Sequence, residues 1–493
     1  MANHYQSQDG GAQVDVGLDA TASGGSRDGG GSGNGMVDAH SRQTPDGSAE
    51  PDDAQTAAHD ASVSGGSLLD GEAPRGADAG VDTVACAGPC PASNIKYLVV
   101  IVQENHTFDD HFGRYCKAAT GSNPTCTEGP ACCEAAPTAD PSGASYVDSE
   151  SLLRGISIHD PDHTMVCELS EMNGGKMDRY AAGVQCSNPG NVMLANAKVI
   201  QPLWDLAARG ALADRWFQPL VGQSSANDLY FARAQYGFSD NAFDPQGAVG
   251  TGCPVAQNTG LLSGTTIADL LQAAGVPWAF YAEGYAAAVA AKQQGTCSAT
   301  VSGCPLQLPV YPCIYDPGDN PFQYFSSSQD KPESSRDFTR LANDLVEHSL
   351  PAVSFIKAIG FRSEHPGYGT RLTDGVQFVS DVVTAIEQST YAPATLIVLT
   401  YDEGGGYFDH VTPPPDNPAD NQPYGTRVPT LVLGTFAKKN YVSHVVMEHS
   451  SLVRFIEWNW LGQQTGQLAG RDRNVANLGS LLDPTTTGIA VPQ

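Results

Sequence analysis

Five short apolar runs, each rich in β-branched or aromatic residues, predict strands that are buried in a sheet. They span residues 97–103, 276–282, 350–358, 395–402 and 429–434. Four longer stretches with helical periodicity lie among them, at residues 202–213, 266–275, 335–349 and 375–390. Strands that alternate with helices of this length predict an α/β fold built on a doubly wound, mostly parallel sheet.

Composition divides the chain into two parts. Residues 1–85 are rich in Gly, Ser, Asp and Ala, and they hold 14 acidic but only 3 basic residues. Such a segment buries too little apolar surface to offset its ordering entropy, so it is predicted to be a disordered acidic linker. Residues 86–493 are predicted to form one folded domain. A Cys/Pro-rich interval at about 285–330 is predicted to be an insertion over one edge of the sheet.

The charge balance limits the partners of this chain. It carries 26 Lys and Arg against 54 Asp and Glu, a net charge of −28. Duplex nucleic acid and anionic membrane surfaces both need a basic face, so neither is predicted as a constitutive partner. A small phosphorylated substrate remains compatible, because a bound metal ion can reverse the local field. No apolar stretch reaches the length of a membrane span, so no transmembrane segment is predicted.

Cysteine usage predicts an oxidising compartment. The chain has 12 cysteines, an even number at irregular spacing, which favours disulfides. Zinc binding is the alternative, with Cys86, Cys90 and the pair Cys132 and Cys133 as possible parts of a site. Disulfides predict an extracytoplasmic protein that is periplasmic, on the cell surface or secreted. The first residues do not have the basic start and apolar stretch of a signal peptide, which conflicts with this location. A misplaced start codon or a processed sequence would reconcile the two observations.

Two predicted strands end in clusters of oxygen ligands. The first is followed by Glu104 and Asn105, and the other by Asp402 and Glu403. In open α/β sheets, ligands bind beyond the carboxyl ends of the strands, and tandem acids after a buried strand are costly unless they are paired or metal-bound. The alternatives are a helix cap at Asn105 and a solvated turn at Asp402 and Glu403.

Six motifs carry a family resemblance. In chain order they are ENHTFDDHFG, HDPDHT, DRWFQPLVGQSSAND, SEHP, YDEGGGYFDHV and YGTRVPTLVLG. They resemble the signature motifs of the bacterial phosphoesterase family, and the resemblance runs from about residue 95 to 460. That family includes the non-haemolytic type of phospholipase C and a respiratory-burst-inhibiting acid phosphatase.

The resemblance implies an alkaline-phosphatase-like catalytic domain with one divalent metal ion and a hydroxyl nucleophile. The implied site residues are the metal ligands Glu104, Asn105, Asp402 and Glu403, the nucleophile Ser224, and the histidines His163 and His365 beside the phosphoryl group. Asn227 and His410 are assigned to substrate binding, and His410 could instead orient a carboxylate from beyond the ligands.

These roles are chemically coherent. A serine hydroxyl is a poor nucleophile until a base or a metal lowers its pKa, and a metal also polarises the phosphoryl oxygen. Oxygen ligands favour a hard or borderline divalent ion. The two histidines could donate hydrogen bonds to the phosphoryl oxygens, and one could protonate the leaving alkoxide; purely structural hydrogen bonding is the alternative. The positive residues noted in or beside the motifs are Arg114, Arg215, Arg362 and Arg427.

Three positions depart from the family pattern. Ala226-Asn227-Asp228 stands where the family has Pro-Asn-Arg, which removes a positive charge. Asp319 stands before Asn-Pro-Phe, where a His is usual, and Ser225 beside Ser224 leaves a one-residue ambiguity in the nucleophile.

The predicted function is a metal-dependent phosphoesterase that hydrolyses phosphate mono- or diesters through a phosphoserine intermediate. Its substrate would be a phosphorylated small molecule or a phospholipid. The alternative is a catalytically inactive, phosphoesterase-like binding protein, for which Asp228 and Asp319 are the best support. A sulfatase-like hydrolase is disfavoured because its Cys/Ser-x-Pro-x-Arg motif is missing. The sequence does not indicate an oligomeric state.

Overall fold

The computed structural model describes residues 90–148 and 159–493, so the predicted linker over residues 1–85 lies outside the described residues. Within them the strands are β1 (Tyr97–Gln103), β2 (Val147–Asp148), β3 (Met193–Leu194), β4 (Ala211–Ala213), β5 (Asp244–Pro245), β6 (Thr259–Gly260), β7 (Trp278–Ala282), β8 (Ser335–Asp337), β9 (Val353–Lys357), β10 (Thr395–Tyr401), β11 (Leu431–Gly434) and β12 (Tyr441–Ser443). The α-helices are α1 (Phe108–Phe112), α2 (Met165–Met172), α3 (Ala197–Arg209), α4 (Ser224–Arg233), α5 (Ile267–Ala274), α6 (Tyr285–Gln293), α7 (Arg340–Val346), α8 (Leu372–Gln388), α9 (Ser450–Trp460) and α10 (Pro484–Thr487).

Eight strands form one sheet in the order β12-β4-β11-β10-β1-β9-β7-β8. The five strands from β10 to β8 in this order are mutually parallel. Strand β11 runs antiparallel to both β10 and β4, and β12 is parallel to β4. The mixed α/β fold with a large, mostly parallel sheet is therefore confirmed.

The sheet is buried on both faces at its centre. Every residue of β10 is buried, as is every residue of β1 except Tyr97. Helices α3 and α8 pack together, and α4, α5 and α9 form a separate packed group. Strands buried on both faces need unbroken apolar sequences, and this explains why these two runs were recognisable from the sequence.

Two predicted helices were wrong in part. Helix α3 ends at Arg209, and residues 211–213 form strand β4 after Gly210 instead of continuing the helix. Residues 335–337 likewise form strand β8, which pairs with β7, and α7 begins only at Arg340. Pairing with a neighbouring strand overrode the local helical pattern in both places.

Every cysteine in the described part of the chain is disulfide-bonded, which confirms the preference for disulfides over zinc there. The resolved pairs are Cys116–Cys133, Cys126–Cys132, Cys167–Cys186, Cys253–Cys297 and Cys304–Cys313. The last two involve the segment between β7 and β8, at the sheet edge where the insertion was predicted. Among the described helices, none is both long and apolar enough to cross a membrane.

Candidate active site

The register of the two central strands brings the predicted ligand clusters together. Gln103 at the end of β1 pairs with Tyr401 at the end of β10, so the residues that follow are neighbours. Oδ1 of Asp402 accepts hydrogen bonds from the backbone N–H of Asn105 at 3.1 Å and of Glu403 at 2.7 Å. Asn105 has a φ of +62°, a left-handed conformation that is uncommon outside glycine and often found at functional sites.

Ser224 is the first residue of α4 and faces this cluster. Its Oγ donates to Oδ1 of Asn105 at 3.3 Å. The hydroxyl of Ser225 instead lies beside Gly318, where a Cβ would be 3.1 Å from its Oγ. Ser224 is therefore the serine that meets the ligand cluster, and its place at a helix N-terminus suits an anionic phosphoryl group.

A tight turn presents Ser224, and Asn227 stabilises that turn. Oδ1 of Asn227 accepts from the backbone of Leu220 at 2.9 Å, and its Nδ2 donates to the carbonyl of Gly222 at 2.7 Å. Gly222 has a φ of +119°, and a Cβ there would lie 2.5 Å from a carboxylate oxygen of Asp240. The side chain of Asn227, which was predicted to bind substrate, thus supports the turn that presents Ser224.

Both predicted histidines meet Asn105. Its Nδ2 lies 3.0 Å from Nε2 of His365 and 3.5 Å from Nε2 of His163. The Nδ1 atoms of the two rings contact the carbonyls of Pro366 at 2.7 Å and Pro161 at 2.8 Å. These contacts assign the proton to Nδ1, so both Nε2 lone pairs point to the amide. Burial lowers the pKa of His163 and favours its neutral form.

The donor set fits a divalent cation. Oε2 of Glu403 accepts from the backbone N–H of Gly405. Its Oε1 is buried, has no hydrogen-bond partner among the described residues and lies 3.7 Å from Nε2 of His163. Burial raises the pKa of Glu403 and of Asp402, and nearby carboxylates add to both shifts. An orphaned carboxylate oxygen and an excess of buried negative charge are what a metal ion would neutralise.

A buried lysine that the sequence reasoning missed lies beside these ligands. Lys357 ends β9, and its Nζ lies 2.8 Å from Oε1 of Glu104, 3.3 Å from Asp402 and 3.8 Å from Asp228. Burial raises the pKa of Glu104, but Lys357 and His365 outweigh it and lower that pKa to about 2. Only four arginines were noted from the sequence as positive residues in or beside the motifs, so this buried cation was not identified there. The sequence offers only a single lysine near the end of the apolar run 350–358, which is not a pattern in itself.

The four arginines named from the motifs form ion pairs elsewhere. They pair as Arg114 with Asp148, Arg215 with Glu134, Arg362 with Glu283, and Arg427 with Asp109 and Asp409. His410 belongs to the Arg427 cluster: its Nδ1 lies 2.8 Å from Asp109 and its Nε2 lies 3.2 Å from Glu134. The structure thus brings His163, His365 and Ser224 together and places His410 against a separate carboxylate pair.

A further histidine, His449, contacts the backbone of the loop that carries Asp402. Nε2 of His449 lies 2.6 Å from the backbone carbonyl of Asp402, and its Nδ1 accepts from the indole N–H of Trp216 at 3.3 Å. The ring stacks on Phe231 at a centroid distance of 4.1 Å. Burial lowers the pKa of His449 to about 3, so it is a neutral donor that holds the Asp402 backbone in place.

Comparisons with known proteins identify the family of this chain. The model of the Phosphoesterase family matches residues 95–461. Phospholipase C B of Mycobacterium tuberculosis is 26% identical over 444 residues, covering 80% of this chain and 79% of the relative. Non-hemolytic phospholipase C of Pseudomonas aeruginosa is 24% identical over 421 residues, covering 74% of this chain and 54% of the relative.

A more distant likeness exists among solved structures. A protein in the alkaline phosphatase superfamily from Vibrio parahaemolyticus aligns with a TM-score of 0.33 and 12% identity, over 78% of this chain and 71% of that one. The family match covers the strands and loops that carry every site residue described above. The chain is therefore a hydrolase of phosphoric ester bonds and belongs to the Phosphoesterase family.

Proposed function

We propose that this enzyme is a metal-dependent phosphoesterase in which Ser224 attacks phosphorus and forms a phosphoserine intermediate. The observation that carries the proposal is the contact of Ser224 Oγ with Asn105, which in turn meets His163 and His365. These residues come from four separate parts of the chain and meet beyond the carboxyl ends of the central strands, where α/β enzymes bind their ligands.

Each residue has a role that its geometry supports. The N-terminus of α4 would stabilise the phosphoryl group on Ser224. The Nε2 atoms of His163 and His365 face the same space, so either ring could carry the proton that the leaving alkoxide needs. Burial lowers the pKa of His163 and favours its neutral form. A neutral ring can accept a proton at Nε2 and then pass it to the leaving alkoxide.

The proposed ligands of the metal are Glu104, Asn105, Asp402 and Glu403. When bound there, a divalent ion would polarise a phosphoryl oxygen and lower the pKa of the serine hydroxyl. The unpartnered Oε1 of Glu403 and the raised pKa of Asp402 and Glu403 support this assignment.

The proposed substrate is a phosphate ester, either a soluble ester or a phospholipid. The relatives named phospholipase C support the phospholipid. The disulfides support an extracytoplasmic location, where such bonds persist. Asp228 faces the buried ammonium of Lys357 at 3.8 Å, which offsets its negative charge, so Asp228 does not by itself support the inactive alternative.

Turnover of p-nitrophenyl phosphate and of phosphatidylcholine by the full chain would test the proposal. We expect hydrolysis that is lost on EDTA treatment and restored by one divalent ion. Ser224→Ala should lose activity by about 1000-fold or more, since the nucleophile is removed. Ser225→Ala is the matched control and should retain most activity. Undiminished hydrolysis by Ser224→Ala, or in EDTA, would refute the mechanism.

A further inference from the structure

The disulfide loop Cys304–Cys313 lies in the insertion between β7 and β8 and is anchored close to the active site. Both cysteines are buried and pack against Ile359 and Phe361, which follow β9. The backbone N–H of Phe361 donates to the carbonyl of Pro312 at 3.2 Å. The packing around this disulfide and the hydrogen bond therefore tie the middle of the insertion to the segment that leads from β9 to His365.

One side chain of this loop reaches a proposed metal ligand. The hydroxyl of Tyr311 donates to Oε2 of Glu104 at 2.6 Å, and the hydroxyl of Ser363 donates to the same oxygen at 2.7 Å. The other oxygen of Glu104 faces Lys357 at 2.8 Å. These three contacts fix the rotation of the carboxylate about its last side-chain bond.

The ring of Tyr311 also contacts a site histidine. It packs edge-on against His365, with ring centroids 5.3 Å apart, and against Tyr368 at the same distance. A Cβ on Gly360 would lie 2.7 Å from the tyrosine ring. The ring therefore packs directly against the backbone of residue 360, which leaves no room for a side chain there. Tyr311 thus touches Glu104 through its hydroxyl and His365 through its ring.

We propose that Tyr311 is a positioning residue of the phosphoester site, carried there by the Cys304–Cys313 loop, which holds Glu104 ready for a divalent ion and His365 against Asn105. This inference rests on the proposed function, because it assigns Glu104 as a ligand. Partners that orient a ligating carboxylate typically change metal affinity by about 10–100-fold when removed.

A direct measurement of metal binding would test the proposed role of the Tyr311 hydroxyl. The full chain, stripped with EDTA and dialysed, would be titrated with Mn²⁺ by isothermal calorimetry. Tyr311→Phe keeps the ring but removes the donor, so we expect about 10-fold weaker binding or more, with an unchanged thermal midpoint. Tyr285→Phe is the matched control: Tyr285 lies in the same insertion, but its hydroxyl donates to Asp330 at 3.1 Å. It should bind Mn²⁺ like the wild type.

The loop is tested with paired cysteine variants. Cys304→Ser/Cys313→Ser should weaken Mn²⁺ binding as Tyr311→Phe does, whereas Cys253→Ser/Cys297→Ser, which opens the other disulfide of this region, should not. A Tyr311→Phe variant that binds Mn²⁺ with wild-type affinity would overturn this inference alone. A wild-type chain that binds no divalent ion and remains active in EDTA would overturn both this inference and the proposed function.

Discussion

The ammonium group of Lys357 lies 2.8 Å from Oε1 of Glu104, at the carboxyl ends of the adjacent strands β9 and β1. The same group lies 3.3 Å from Asp402 and 3.8 Å from Asp228, and its side chain is 3% exposed. One buried cation therefore faces three buried carboxylates. Burial lowers the pKa of Lys357, but these carboxylates outweigh it and raise that pKa well above its usual value, so the lysine is charged.

Replacement of this lysine should strongly destabilise the metal-free enzyme. Lys357→Met leaves buried acids without their cation, and breaking a buried pair in this way typically costs about 3–5 kcal/mol. Urea denaturation in EDTA would measure the loss. Lys292→Met is the control, because Lys292 forms a partly exposed pair with Asp330 and should cost less than about 1 kcal/mol. Equal stability of the two variants would contradict the assigned role of Lys357.

Charge exchange between positions 228 and 357 should be compensatory. Asp228→Arg places a second cation next to Lys357 and is expected to cost about 3 kcal/mol or more. Adding Lys357→Glu restores opposite charges at the two positions but takes the cation away from Glu104 and Asp402. The double variant should therefore remain destabilised, but by less than the sum of the two single losses, which a double-mutant cycle in urea would measure. Additive losses in the double variant would mean that the two side chains do not interact.

The sequence predicted the parts of this enzyme that depend on local pattern and sheet geometry. The runs that became β1 and β10 were recognisable because both strands are buried on both faces, and their adjacency explains why Glu104 and Asp402 are neighbours. Strands β4 and β12 have three residues each, which is too short for a periodic signal. They form because neighbouring strands offer hydrogen bonds.

The site itself was only partly predictable. Ser224 was identified by family resemblance, since nothing in its local pattern distinguishes it from Ser225. Lys357 and Tyr311 were missed for physical reasons: a single lysine in an apolar run gives no pattern, and an insertion without periodicity does not reveal where its side chains point. His410 was assigned from its position after the acidic ligands, but it contacts Asp109 and Glu134.

The Arg427 cluster should contribute to stability independently of the proposed metal site. Its guanidinium donates to Asp409 at 2.8 Å and to Asp109 at 3.0 Å, and it lies 4.3 Å from the ring centroid of Phe108. Arg427→Leu leaves the buried carboxylate of Asp409 without its cation and leaves Asp109 with His410 alone, and it should cost about 3–5 kcal/mol in urea denaturation. Arg209→Leu, at a partly exposed pair with Glu387, should cost under about 1 kcal/mol. Similar losses in both variants would contradict this interpretation.

A protonated histidine behind the site should make stability fall with rising pH. Nδ1 of His111 lies 3.2 Å from Asp110, and its Nε2 lies 2.8 Å from Glu364. Only the imidazolium can donate to both carboxylates. Burial lowers the pKa of His111, but Asp110 and Glu364 outweigh it and raise that pKa to about 9.

Because the folded-state pKa of His111 exceeds its unfolded value of about 6.5, the folded state retains a proton that the unfolded state releases. The stabilisation is complete below about pH 6.5 and is lost as pH rises through about 9, an effect of ~3 kcal/mol. The free energy of unfolding, measured with urea between about pH 6.5 and 9, should therefore fall less steeply with pH in His111→Gln than in the wild type. The difference in slope should correspond to nearly one proton. A variant that keeps the wild-type slope would show that His111 is neutral in the folded enzyme and that another group titrates in this range.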